Sequence, residues 1–150
     1  MATDPGATDP ASTSCVAWVL RVLGLIDTLA LLAVVMPRSG MAMLHAWAGL
    51  GTLPDGPVVG YLARSASALY ALHGLLVVFL SFDVLRYWRL IRFFATAALF
   101  HGLVMLAVDL GEGMPIWWTM SEGPIFSLTG VAVLVAQSRT SSRRPACCSR

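Results

Sequence analysis

The sequence predicts an all-α integral membrane protein, a bundle of four transmembrane helices that run alternately up and down through the bilayer. Its 150 residues are 57% hydrophobic and only 12% charged, whereas soluble domains carry about 25% charged residues. The apolar residues also fall into four runs, each near the roughly 20 residues that a helix needs to cross about 30 Å of hydrocarbon. Such continuous runs are unlike the short alternating strands of a transmembrane β-barrel.

Each predicted span has a physical boundary. Pro37 ends the first span because proline has no amide hydrogen with which to continue a helix. The turn sequence PDGP precedes the second span, Gly111 and Gly113 end the third, and Pro115 suits the first position of the fourth. The transmembrane domain is thus expected at residues 15–137, with spans at 15–36, 58–82, 89–110 and 115–137.

The remaining segments are two tails and one loop. Both tails are predicted to be disordered, because they have little apolar surface to bury. They are residues 1–14, which repeat the sequence ATDP, and the arginine-rich segment 138–150. Within the loop, residues 39–50 are predicted to form a short interfacial helix, with Ser39 as N-cap and with Met41, Leu44 and Ala48 on one face. A packed loop is the alternative for this segment.

The distribution of arginine predicts the orientation. All ten basic residues are arginines. Three of them (Arg86, Arg89 and Arg92) lie between the second and third spans or at the start of the third, on the same side as the four that follow the fourth span. The loops on the other side contain only Arg38. The positive-inside rule therefore places both termini in the cytoplasm of a multi-pass protein of the inner cell membrane. Asp27 interrupts the first apolar run, which argues against a cleaved signal peptide.

Three of the charged residues inside the predicted spans lie at similar depths on the outer side. Asp27, Arg64 and Glu122 lie about 14, 9 and 10 Å below the outer ends of their helices. An ionised group at membrane depth costs about 2.5 to 3.5 kcal/mol on insertion scales, so we expect Arg64 to pair with Asp27, Glu122 or both. The pairing either clamps the helices together or, because two acids face one base, holds a proton or a substrate in a small proton-coupled transporter.

Two histidines occupy a repeated motif. The pattern R-x8-HGL occurs from Arg64 to Leu75 and again from Arg92 to Leu103, which puts His73 and His101 near the middle of adjacent spans. Nine residues separate Arg64 from His73, so the two are expected on opposite faces of the helix. The histidines can pack between helices, handle protons, or bind haem b between them, as in bundle cytochromes.

No signature of enzyme catalysis is present in the sequence. There is no phosphate-binding loop, no nucleophile elbow and no H-E-x-x-H pair, and Cys147 and Cys148 lack zinc-site spacing. The basic tail also lacks the aromatic residues of a nucleic-acid surface. It is expected to determine the topology, with binding to anionic lipids as the alternative role. We therefore expect a non-enzymatic membrane subunit or helper with no metal, embedded in lipid and associated with a second copy or another membrane protein.

One segment suggests a family. The sequence VLRVLGLIDTLALL, which begins at Val19, resembles the opening of small bacterial four-span membrane proteins of the DoxX-like kind. The resemblance covers about one span. It implies a four-span fold and assigns no site residue.

Overall fold

The computed structural model describes residues 10–141, including the side chains of residues 13–138. This part of the chain is helical and contains no strand. The expectations for residues 1–9 and 142–150, including the lipid-binding tail and the two adjacent cysteines, lie outside the described residues. Four candidate membrane spans are present, which confirms the coarse fold: Thr13–Val35, Pro57–Leu80, Trp88–Glu112 and Ile116–Ser138.

The surface of these spans is unusually apolar. Only 11% to 22% of the most apolar stretch of each candidate span is buried, and large side chains such as Val35 (79% exposed), Phe82 (72%) and Ile116 (71%) are open to the surroundings. Soluble monomers rarely expose such large contiguous apolar patches. The four helices are thus both long enough and apolar enough to cross a membrane.

Six helices form along the described chain. The first predicted span is divided into α1 and α2, and a third short helix precedes the second span. The last helix continues past the expected end of the fourth span. In order, the helices are α1 (Pro10–Thr28), α2 (Leu31–Val35), α3 (Arg38–Trp47), α4 (Pro57–Leu80), α5 (Trp88–Glu112) and α6 (Ile116–Ser141).

The first span is interrupted after Thr28, where no proline or glycine stands. The Thr28 hydroxyl donates a 2.6 Å hydrogen bond to the carbonyl of Gly24, a back-bond that bends helices. The amide of Ala30 then donates to the carbonyl of Asp27, three residues back rather than four. This tighter, 3₁₀-like turn offsets α2 from α1. At its far end, Met36 is extended, as residues before proline prefer to be.

Helix α3 occupies the segment in which the interfacial helix is expected. Its N-cap is Pro37 rather than Ser39, which lies in the first turn. Ala48 is buried, whereas Leu44, expected on the same face, is 45% exposed. The Arg38 guanidinium, at the start of α3, donates to the carbonyls of Pro54 (2.8 Å) and Gly56 (3.1 Å) and so ties the helix to the following loop.

Helices α5 and α6 are joined by a short turn. Gly113 caps α5 in the left-handed conformation (φ 68°), and its amide donates to the carbonyl of Asp109. Glycine suits this position because it has no Cβ to clash. Helix α6 then begins after Pro115 and contains Pro124 in its interior.

The chain divides into two compact units. The first, called here the α4 unit, comprises Leu20–Phe79 and so contains the second half of α1, then α2, α3 and nearly all of α4. The second, the α5–α6 unit, comprises residues 10–19 and 80–141 of the described chain.

Candidate functional site

Within the α4 unit, α1 and α4 touch through their backbones at two glycines. A Cβ atom added to Gly24 would lie 2.7 Å from the carbonyl oxygen of Gly74, and one added to Gly74 would lie 2.5 Å from the carbonyl oxygen of Gly24. Neither position has room for a side chain. This contact, the Gly24–Gly74 crossing, is the close approach that small residues permit between membrane helices.

Asp27 and His73 form a hydrogen-bonded pair beside this crossing. His73 Nδ1 lies 2.9 Å from Asp27 Oδ2. The side chains are 42% and 21% exposed, respectively. A neutral imidazole with its hydrogen on Nδ1, or a protonated imidazole, donates to the carboxylate in this geometry. Sequence reasoning selected both residues but did not pair them, because the pairing depends on the register between α1 and α4 that the crossing sets.

Arg64 contacts two backbone carbonyls that the sequence does not indicate as its partners. Its Nε donates to the carbonyl of Val34 and its Nη2 to that of Met36, both at 3.0 Å. Val34 lies in the last turn of α2, and Met36 is its C-cap. The carbonyls at the C-terminus of a helix have no intrahelical donors. Arg64 therefore caps α2, while Asp27 in the same unit is engaged by His73.

The same contacts revise the expectation that Arg64 and His73 serve opposite sides of α4. Both reach the chain segment between Asp27 and Met36. The Arg64 guanidinium stands on a long flexible stem, so the face on which its Cα lies does not fix the position of the charge.

Glu122 interacts within its own helix. Trp118 Nε1 donates to Glu122 Oε2 at 2.5 Å, and the four-residue separation places the two side chains on the same face of α6. Glu122 belongs to the α5–α6 unit, whereas Asp27 and Arg64 belong to the α4 unit. The grouping of all three residues stays a prediction.

Within the α5–α6 unit, a second glycine crossing has the same local pattern as the first. A Cβ on Gly123 would lie 2.7 Å from the carbonyl oxygen of Gly102, and a Cβ on Gly102 would meet the carbonyl oxygen of Gly123 and, at 2.7 Å, the amide of Ser127. The glycine of each HGL motif is therefore a point of helix contact, which gives the repeated motif a structural meaning.

His101 precedes its crossing glycine just as His73 does, but its contact differs. Its ring packs edge-on against Phe126, with the ring centroids 5.2 Å apart and the planes at 85°. Phe126 stands three residues after Gly123, the position that Asp27 holds relative to Gly24. Haem binding by His73 and His101 stays a prediction, since the two histidines belong to different units.

Sequence reasoning missed four buried polar residues of the α5–α6 unit: Ser81, Asp109, Thr119 and Gln137. Thr119 is 1% exposed, Asp109 and Gln137 are each 3% exposed, and neither Asp109 Oδ2 nor Gln137 Oε1 has a hydrogen-bond partner among the described residues. Spacing in the sequence could have identified two of them, because the close-packed faces repeat every seven residues, as helix seams do. The positions are Ala95, Gly102 and Asp109 in α5, and Gly123, Gly130 and Gln137 in α6.

Among residues 10–141, no group of three or more His, Cys, Asp or Glu side chains is placed to hold a metal ion. No family model, curated protein or solved structure matches this chain. The likeness of the first span to DoxX-like proteins therefore stays a resemblance, and the function is argued from the contacts alone.

Proposed function

We propose that this chain is a multi-pass protein of the inner cell membrane and a non-enzymatic subunit or helper, in which polar side chains hold the helices together. It acts through association with a second copy or with another membrane protein. The observation that carries the structural part of this proposal is the capping of α2 by Arg64.

The capping contact explains why an arginine stands inside an apolar helix. In lipid, a backbone carbonyl without a donor costs several kcal/mol because no water replaces the missing bond. Arg64 supplies donors to two such carbonyls, those of Val34 and Met36. Its charge is thereby used to join α4 to the end of the first span.

The up-down topology is supported by the glycine contacts as well as by the arginine distribution. A Cβ on Gly74 would lie against both Gly24 and Thr28, whereas one on Gly24 would lie against both Gly74 and Val78. Neighbouring helices that run in opposite directions produce this reciprocal pattern. The Gly102–Gly123 crossing repeats it, which supports opposite directions for α5 and α6 also.

Replacement of Arg64 tests the proposal. We expect Arg64→Ala to lower the unfolding temperature of the purified protein and its amount in membranes, whereas Arg64→Lys restores part of the loss because an ammonium still donates to a carbonyl. Neutralising Asp27 should not rescue Arg64→Ala, since Arg64 does not cap α2 through a carboxylate. Arg89→Ala, at an exposed position of α5, is the matched control. Equal unfolding temperatures for Arg64→Ala and Arg89→Ala would overturn the proposal.

A small proton-coupled transporter using Asp27, Arg64 and Glu122 is the second candidate function. The pair of Asp27 and His73 beside the break in the first span favours it, because intramembrane carboxylates often mark proton relays. For a transporter of this kind, we expect the Glu122→Gln protein to fold normally and to lose a pH-dependent flux.

A further inference from the structure

We propose that Asp27 and His73 together form a proton-binding site through which the protein moves protons across the membrane. The proposal goes beyond a subunit whose polar residues serve only to hold helices together. It rests on the hydrogen bond between the two side chains and on a comparison of the two glycine crossings.

The pair can bind and release a proton while keeping its hydrogen bond. When the imidazole is neutral, Nδ1–H donates to the carboxylate and the pair carries one negative charge. A proton from water then adds to the other ring nitrogen, and the resulting imidazolium still donates from Nδ1 while the pair becomes neutral overall. Release returns the proton to water, so the step needs no other reactant.

The second crossing shows that packing alone does not require the carboxylate. In both crossings a histidine immediately precedes the contact glycine of one helix. The side chain that contacts this histidine stands three residues after the contact glycine of the other helix. At the Gly102–Gly123 crossing that neighbour is Phe126, whose apolar ring packs against His101. An apolar side chain thus fills this position in one unit, and the other unit has a carboxylate that is costly to insert in a membrane. A role in proton binding explains why the carboxylate is present despite this cost.

The pair lies beside the break in the first span. Nine residues, about 14 Å along α4, separate His73 from the Arg64 cap. The His73 side chain is 42% exposed. Directly after Asp27, the chain changes to tighter hydrogen bonds that span three residues, and the amides of Ala30 and Ala33 donate in this way. Such turns often mark hinges. A change in the charge of the pair therefore acts next to a break in the helical hydrogen bonding.

Other charged and titratable groups belong to the same unit. Arg64 is engaged by the α2 carbonyls, Arg38 donates to the loop carbonyls, and His45 Nδ1 lies 3.2 Å from the carbonyl oxygen of Gly51. Helix α2 has no titratable side chain. The remaining groups on the helices of the unit are Arg21 in α1 and Tyr61 and Tyr70 in α4.

Proton flux into vesicles tests the proposal. The full chain is reconstituted into liposomes that contain the pH dye pyranine, and a potassium gradient with valinomycin drives proton entry. We expect wild-type protein to raise the rate of proton entry above that of protein-free vesicles. Asp27→Asn and His73→Gln should each return the rate to the protein-free value. His101→Gln is the matched control, since it changes the histidine of the other crossing, and it should keep the wild-type rate.

Two results would overturn the proposal: a wild-type rate equal to that of protein-free vesicles, or wild-type rates in both Asp27→Asn and His73→Gln. Each variant is first compared with wild type by elution volume and unfolding temperature. If Asp27→Asn does not fold, His73→Gln decides, because its amide can still donate to Asp27. The Arg64→Ala stability test does not depend on flux, so the failure of one proposal leaves the other standing.

Discussion

At the residue scale, glycines decide how closely the helices approach. Gly24 and Gly74 place two backbones in direct contact in the α4 unit, and Gly102 and Gly123 do so in the α5–α6 unit. A water-excluded interface gains from such contact mainly through van der Waals packing, since lipid is as apolar as the helices themselves. The loss of one glycine therefore costs packing over a whole turn of both helices.

We predict that Gly102→Ala destabilises the protein by about 1–3 kcal/mol, the usual cost of overpacking a close contact. The new methyl group would meet the backbone of Gly123 and Ser127, which cannot move aside as a flexible side chain can. Gly111→Ala is the control in the same helix, because a Cβ there meets nothing within 4 Å. Reversible unfolding in detergent measures both variants. Equal stability of the two would contradict the backbone contact.

The sequence was sufficient to identify the charged residues of the site but not their partners. The cost of a charge in lipid was enough to select Asp27, Arg64 and Glu122. Their partners depend on register and side-chain reach, which only the packed helices define. Asp27 therefore contacts His73 rather than Arg64, and Arg64 contacts carbonyls that no sequence pattern marks as exposed.

At the scale of elements, the boundaries of the helices were more predictable than their interruptions. Pro37, Gly113 and Pro115 stand at or next to helix ends, as their backbone chemistry requires. The break after Thr28 was not predicted, because it arises from a side-chain hydrogen bond and a tightened turn inside a continuous apolar run. Apolar composition cannot distinguish one long helix from two short ones.

The seam between α5 and α6 leads to a prediction at this scale. Asp109 lies on the buried face of α5, and its Oδ2 has no hydrogen-bond partner among the described residues. A buried polar atom without a partner costs about 1–3 kcal/mol, and more if it is charged. We therefore expect Asp109→Asn, which keeps the shape and removes the charge, to raise the unfolding temperature.

Glu112→Gln provides the comparison for this variant. Glu112 is exposed in the same helix, so the loss of its charge should leave the unfolding temperature unchanged. A lower unfolding temperature for Asp109→Asn would show that the carboxylate makes a favourable contact and that the seam does not carry an unpartnered charge.

At the scale of the whole molecule, the proposals depend on how the chain is threaded through the membrane. Four spans with both termini in the cytoplasm require the turn between α4 and α5 to lie inside and the turn between α5 and α6 to lie outside. The inner turn carries Arg86, and Arg89 and Arg92 follow it in the first turns of α5. Asp109 and Glu112 stand in the last turn of α5, next to an outer turn that carries no arginine. Translocation disfavours the arginine-rich side, so the two turns should be accessible from opposite faces.

Single cysteines in a cysteine-free background test this threading. Cys15, Cys147 and Cys148 are replaced by serine, and a cysteine is then introduced at Asp83 or Glu112. Both positions are exposed, and neither is one of the arginines on which the predicted orientation depends. A membrane-impermeant maleimide should label Glu112→Cys in intact cells and should label Asp83→Cys only in inverted vesicles. Label on both from the same face would exclude the up-down arrangement of α5. The opposite pattern would keep four spans but place the termini, and the basic C-terminal tail with them, outside the cell.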